Sequence, residues 1–144
     1  MLVDVSTIHV ADQGFVAAPP EVVAALVADR RSWRRWWPDL ALTVREDRGD
    51  KGVRWQVTGP LTGTMEVWLD PRMDGTMINY FLHAEPTDGA ASATRAPRTV
   101  MEQIRVRREA GKAMTFQIKA IAEAGRAAGE RPAHAAGDAS TGTR

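Results

Sequence analysis

Ala17-Ala18-Pro19-Pro20-Glu21-Val22-Val23 leads on to Trp33-Arg34-Arg35-Trp36-Trp37-Pro38. Pro20 suits the first position of a helix, where a missing N–H loses no partner. Val22, Val23, Leu26 and Val27 then recur as the stripe of an amphipathic helix. Asp29 is placed as the N-cap of a second short helix over residues 30–36. Pro38 stops that helix, because the residue before a proline avoids the helical region. Three of the five tryptophans fall in this short stretch. So much aromatic area predicts a large apolar body beneath it, either a core or a ligand chamber.

Working outward, residues 5–16 alternate loosely, with Ile8, Val10 and Phe15 as the buried set. They predict a first strand, with a bulge at Gln13-Gly14. After Pro38 the period is two. Leu40, Leu42 and Val44 make one set; Val53, Trp55 and Val57 make the next. Met65, Val67 and Leu69 follow, then Ile78, Tyr80, Leu82 and Ala84. The segments 49–52, 59–63 and 70–75 carry turn chemistry, so an antiparallel meander is predicted. Residues 85–97 read as a loop. From near Arg98, Val100, Ile104, Gly111, Met114, Ile118, Ile121 and Gly125 recur at helical spacing, with arginines at the 107/108 step. About 27 residues at ~1.5 Å each make a rod of ~40 Å, long enough to cross the sheet. Residues 1–125 are expected to form one domain, and 126–144, small and polar, a disordered tail.

The composition narrows the function. A formal net charge of +1 argues against a dedicated nucleic-acid binder. The absence of cysteine rules out disulfides, thiol catalysis and thiolate metal sites. No signal peptide or membrane-length apolar run is visible, so a soluble cytoplasmic protein is expected. His9, His83 and His134 lie far apart and lack metal-ligand spacing, so no metal or other cofactor is expected. No phosphate-binding loop or nucleophile triad can be read, and no residue is assigned a catalytic role by motif.

The order of strand, two short helices, meander and long C-terminal helix resembles the START-like (SRPBCC, helix-grip) superfamily. Within it, the chain looks most like the polyketide cyclase/dehydrase and lipid-transport group. The resemblance rests on the Ala-Pro-Pro-Glu-Val-Val entry and the Trp-Trp-Pro exit. It rests also on Gly63-Thr64-Met65-Glu66-Val67-Trp68-Leu69, on Asp74-Gly75-Thr76 and on the helix from Gly111 through Lys119. It covers residues 5–125. It implies an α+β fold: a curved antiparallel sheet of about five to six strands wrapped around the long helix. Members of the group usually carry more strands than the five counted here. A short sheet predicts a more open cavity or an unprotected edge, and such an edge invites a homodimer.

The residues expected to line the cavity are Trp36, Trp37, Trp55, Val57, Met65, Val67, Tyr80, Leu82, Arg107, Gly111, Met114 and Ile118. Ordinary core packing is the competing reading for each. Gly111 interrupts a helix, which implies close approach to the sheet or room for a ligand. Arg107 or Arg108 must approach the sheet, where it needs a carboxylate or an acidic ligand headgroup. Glu66 and Glu102 are candidate partners. Arg30, Arg31, Arg34 and Arg35 form a basic patch, either solvated or in peripheral contact with an anionic membrane. The leading expectation is binding or transport of a hydrophobic small molecule: lipid, fatty-acyl, isoprenoid or polyketide-like. Its acidic end would meet Tyr80 or a helix arginine, with Trp36 and Trp37 near the mouth as a gate. A cyclase or aromatase is the alternative, with Tyr80 as acid and Arg107 or Arg108 stabilising an enolate. A protein-interaction module using the sheet edge and the basic patch is the third reading.

Overall fold

Strand β1 (Ile8–Val16) feeds two short helices, α1 (Pro20–Val27) and α2 (Arg30–Trp36). A meander follows: β2 (Ala41–Asp47), β3 (Gly52–Thr58), β4 (Leu61–Arg72) and β5 (Gly75–Pro86). The long helix α3 (Val100–Ala122) comes last. The structure, a computed structural model, describes residues 7–87 and 99–124. The expected tail, and most of the expected loop over 85–97, lie outside the described residues.

The five strands form one antiparallel sheet in the order β1-β5-β4-β3-β2. The first strand therefore closes against the last, and β2 is left at the far edge. Alternation sets the faces: Trp55, Val57, Met65, Val67, Leu69, Ile78, Tyr80 and Leu82 all point into the core. At the α1 entry Pro20 stands at the start of the helix, and at α2 the Asp29 carboxylate accepts from the Arg31 N–H. Helix α3 begins at Val100, the first residue of its apolar stripe. Thr99 Oγ1 accepts from the Glu102 N–H, and the Glu102 side chain accepts from the Thr99 N–H. That reciprocal cap satisfies two donors otherwise left open at the helix start.

Three local expectations change. Strand β1 pairs without a break from Ile8↔Ala84 to Val16↔Thr76, so there is no bulge at Gln13-Gly14. Gly14 answers a different need, because an added Cβ would lie 2.5 Å from the Thr115 methyl where α3 crosses. The register break lies instead in β2, between Val44 and Glu46. The turns are also shorter than the turn-forming residues suggested. β4 starts at Leu61 and runs through Pro71 to Arg72. Proline is tolerated there because β3 begins at Gly52, opposite Trp68, leaving the later part of β4 without a partner on that side.

Helix α3 lies along β1. Lys112 meets Asp12 at 3.3 Å, Lys119 Nζ reaches the Phe15 carbonyl at 3.1 Å, and the Ala17 N–H donates to Glu123 at 2.7 Å. The rest of the inner sheet face is roofed by the tryptophans of α2.

Candidate ligand-binding site

The i, i+3 spacing of Trp33 and Trp36 puts both rings on one face of α2, turned toward the sheet. Trp37 leaves the helical region (φ −134°, ψ 68°) and its indole is also buried. The rings make a continuous chain. Trp33 meets Trp55 edge-on at 5.3 Å, Trp55 tilts against Trp37 at 5.7 Å, and Trp37 stacks on Tyr80 at 6.2 Å. Trp36 meets Trp37 edge-on at 5.6 Å. Opposite this chain, Gly111 brings α3 onto the Tyr80 ring: a Cβ there would lie 2.6 Å from two ring carbons. Close approach is therefore what the glycine provides. Val57, Met65, Val67, Leu82, Met114 and Ile118 complete the walls, each essentially without solvent contact.

The polar atoms of this interior are few. Trp33 Nε1 donates to the Val27 carbonyl at 2.7 Å, and Trp36 Nε1 to Gln117 Oε1 at 2.6 Å. The indole N–H groups of Trp37 and Trp55 are buried without an aligned acceptor. Tyr80 donates its hydroxyl proton to the Arg107 carbonyl at 3.2 Å. Burial pushes the Tyr80 pKa up to about 12, against smaller opposing effects of the nearby Trp37 N–H and the Arg107 cation.

Arg107 is the helix arginine that turns inward, and it is 2% exposed. Its Nε donates to Gln103 Oε1 at 3.1 Å. Nη1 and Nη2 grip the two Asp39 carboxylate oxygens at 2.9 and 2.8 Å. Such a fork-to-carboxylate pair is the strongest way to satisfy a buried guanidinium. The partner is neither of the glutamates expected. Glu66 lies on the outer sheet face with Arg54 and Trp68, and Glu102 belongs to the α3 cap. Arg108 is exposed. Sequence reading missed Asp39, whose only signal was its place just after Trp37-Pro38. It also missed Gln103, one helical turn before Arg107.

Two clefts open between the short helices and the β2–β3 side of the sheet. One, of ≈ 200 Å³, is lined by Ala24, Val27, Trp33, Val44, Val53 and their neighbours. The other, of ≈ 310 Å³, is lined by Arg30, Trp33, Arg34, Leu40, Ala41 and Leu42. Trp33 and Arg30 belong to both, with the guanidinium 5.1 Å above the indole. The residues expected to line a cavity are thus brought together as a packed interior. The clefts beside it are lined by other residues.

The β1–β5 pairing also brings together His9 and His83, far apart in sequence, with ring centroids 4.4 Å apart on the outer face. Among the described residues no group of three or more His, Cys, Asp or Glu could hold a metal ion. None of the described helices is long and apolar enough to cross a membrane.

No family model matches the chain, and no curated protein does. Solved structures do match it. The Aha1 dimer structure from Colwellia psychrerythraea aligns with TM-score 0.56 at 12% identity, over 83% of this chain and 99% of that one. The di-domain ARO/CYC StfQ of the steffimycin biosynthetic pathway aligns with TM-score 0.53 at 17% identity, over 78% of this chain and 50% of that one. A polyketide-cyclase-like protein from Corynebacterium glutamicum aligns with TM-score 0.50 at 19% identity, over 81% of this chain and 91% of that one. Together with the five-stranded antiparallel sheet and the long C-terminal helix laid against it, these likenesses show that the chain has the helix-grip fold.

Proposed function

We propose that the protein is a cytoplasmic binder or carrier of a hydrophobic small molecule, held between the sheet and α3. The twelve residues from Trp36 through Ile118 named above are its lining. The observation that carries this reading is the indole donor Trp55 Nε1, buried without an acceptor, beside a Trp37 N–H that has only the Tyr80 hydroxyl near it. Each such donor costs roughly 1–3 kcal/mol, and folded proteins rarely leave one unsatisfied. A ligand oxygen that reaches Trp55 Nε1 removes that cost, and the apolar walls take up its chain. Met65 and Met114 suit a ligand of irregular shape, because thioether side chains repack readily. The likeness to an ARO/CYC and to a polyketide-cyclase-like protein supports a polyketide-like ligand beside fatty-acyl and isoprenoid ones.

Binding is favoured over turnover. A cyclase would need Tyr80 to give up its proton, yet burial holds its pKa near 12 and its hydroxyl is committed to the Arg107 carbonyl. The guanidinium of Arg107 is already engaged by Asp39 and Gln103. Native mass spectrometry of freshly purified protein should show a stoichiometric small-molecule adduct. Lipids should displace N-phenyl-1-naphthylamine from the protein, and Trp55→Phe should weaken that competition. Repeated absence of any adduct, with no displacement by lipids, sinks the reading.

The free β2 edge is the proposed site of homodimer pairing, which a monomeric mass at high concentration would refute. The four exposed arginines of α2 are proposed to touch anionic membrane surfaces. Failure of the protein to co-sediment with phosphatidylserine vesicles at low salt would refute that contact.

A further inference from the structure

Arg107 is the one charged side chain buried in the interior among the described residues. Its counter-ion comes from the surface: Asp39 is 37% exposed in its side chain and belongs to the connection between α2 and β2. That connection carries two elements of the interior. Trp37 precedes Asp39 and lays its indole on Tyr80. Leu40 follows it and lines the ≈ 310 Å³ cleft, whose rim holds Arg30 and Arg34. The Asp39–Arg107 contact therefore fixes the segment that packs over the interior, beside a cleft with a cationic rim and an apolar wall.

Resting on the binding function proposed above, we infer that the ligand is a carboxylic acid and that its carboxylate takes the place of Asp39 on Arg107. Asp39 already displays the chemistry that the guanidinium fork accepts: two carboxylate oxygens at 2.9 and 2.8 Å. The exchange conserves charge on the buried cation, which is never left unpaired. Asp39 moves only from a half-exposed position into water, so it recovers hydration. Release of residues 37–40 withdraws the Trp37 ring, and that makes room in an interior the protein's own side chains fill. Arg30 and Arg34 draw the anion to the cleft at which this segment sits. Once seated, the carboxylate lies on Arg107 beside Tyr80, and the alkyl chain runs toward Met65 and Met114 through the space the Trp37 ring leaves. Asp39 is thus a gate and a specificity filter: a neutral chain has nothing to exchange with it.

The test compares decanoate with decanol, each competing against N-phenyl-1-naphthylamine for the full-length protein. Decanoate should bind about tenfold or more tightly than decanol, the scale of a charge-assisted contact. Asp39→Asn removes the internal competitor and should raise the decanoate-to-decanol affinity ratio further. Should that variant fold poorly, amide exchange on the unmodified protein replaces it. The Leu40 N–H, held by the Trp37 carbonyl at 3.2 Å, should exchange faster with decanoate bound. Equal affinities for decanoate and decanol overturn the inference and leave the binding function standing. Leu40 exchange unchanged at saturating decanoate also overturns it. Failure of both compounds and of the dye to bind removes the binding function itself.

Discussion

At Gly111 an added methyl group would lie 2.6 Å from the Tyr80 ring. Helix propensity favours alanine there by about 1 kcal/mol, while overpacking costs roughly 1–3 kcal/mol. Gly111→Ala is therefore expected to destabilise the fold by about 1 kcal/mol in urea unfolding. In a Tyr80→Leu background the ring is gone and the same alanine should stabilise; destabilisation in both backgrounds would show that Tyr80 is not the obstacle. Tyr80 itself makes a pH prediction. Its pKa is raised from about 10 in the unfolded chain to about 12 in the fold. The stability it contributes is thus fully present below pH ~10 and is lost as pH rises toward ~12, by roughly 2–3 kcal/mol. Thermal melts of the protein should fall more steeply across that window than melts of Tyr80→Phe. Parallel curves would mean that Tyr80 is not buried as described. The alternation Ile78, Tyr80, Leu82 made its inward orientation legible in the sequence. The partner of its hydroxyl, a backbone carbonyl of a helix 27 residues on, was not.

Among the elements, the α2–β2 connection and α3 are joined by one ion pair that spans 68 residues of sequence. Periodicity reports which face of α3 is buried, and it correctly turned an arginine toward the sheet. It carries no information on which loop comes to meet that arginine, so Glu66 and Glu102 were named and Asp39 was not. The His9–His83 contact escaped for the same reason, since only the closure of β1 onto β5 creates it. The coupling can be measured by a double-mutant cycle. Asp39→Asn alone should cost roughly 3 kcal/mol, because it strands a buried guanidinium. In an Arg107→Met background, where nothing is stranded, Asp39→Asn should cost far less. Additive losses in chemical denaturation would show that the pair is not coupled. The helix caps needed no such long-range knowledge. Asp29 was legible as a cap because its signal is local, and Pro20 marked the start of α1 in the same way.

For the whole molecule, the meander was legible because four period-two runs were separated by turn-forming residues. The long helix was legible from its stripe of Val100, Ile104, Met114 and Ile118. What those patterns leave open is how the inner face is filled, because alternation gives the direction of a side chain and not the gap in front of it. The structure fills it with four tryptophan rings and Tyr80, and leaves the Trp55 indole donor without an acceptor. The binding proposed above moves the Trp37 ring off Tyr80 and Trp55, which it touches in this fold. It is tested most directly by following the indole ¹H–¹⁵N resonances of the protein during titration with decanoate. Saturable shifts of the Trp37 and Trp55 Nε1–H signals are predicted as the Trp37 ring leaves its neighbours, with those of Trp33 and Trp36, held by their own acceptors, moving less. Unmoved Trp37 and Trp55 signals at saturating decanoate would contradict it.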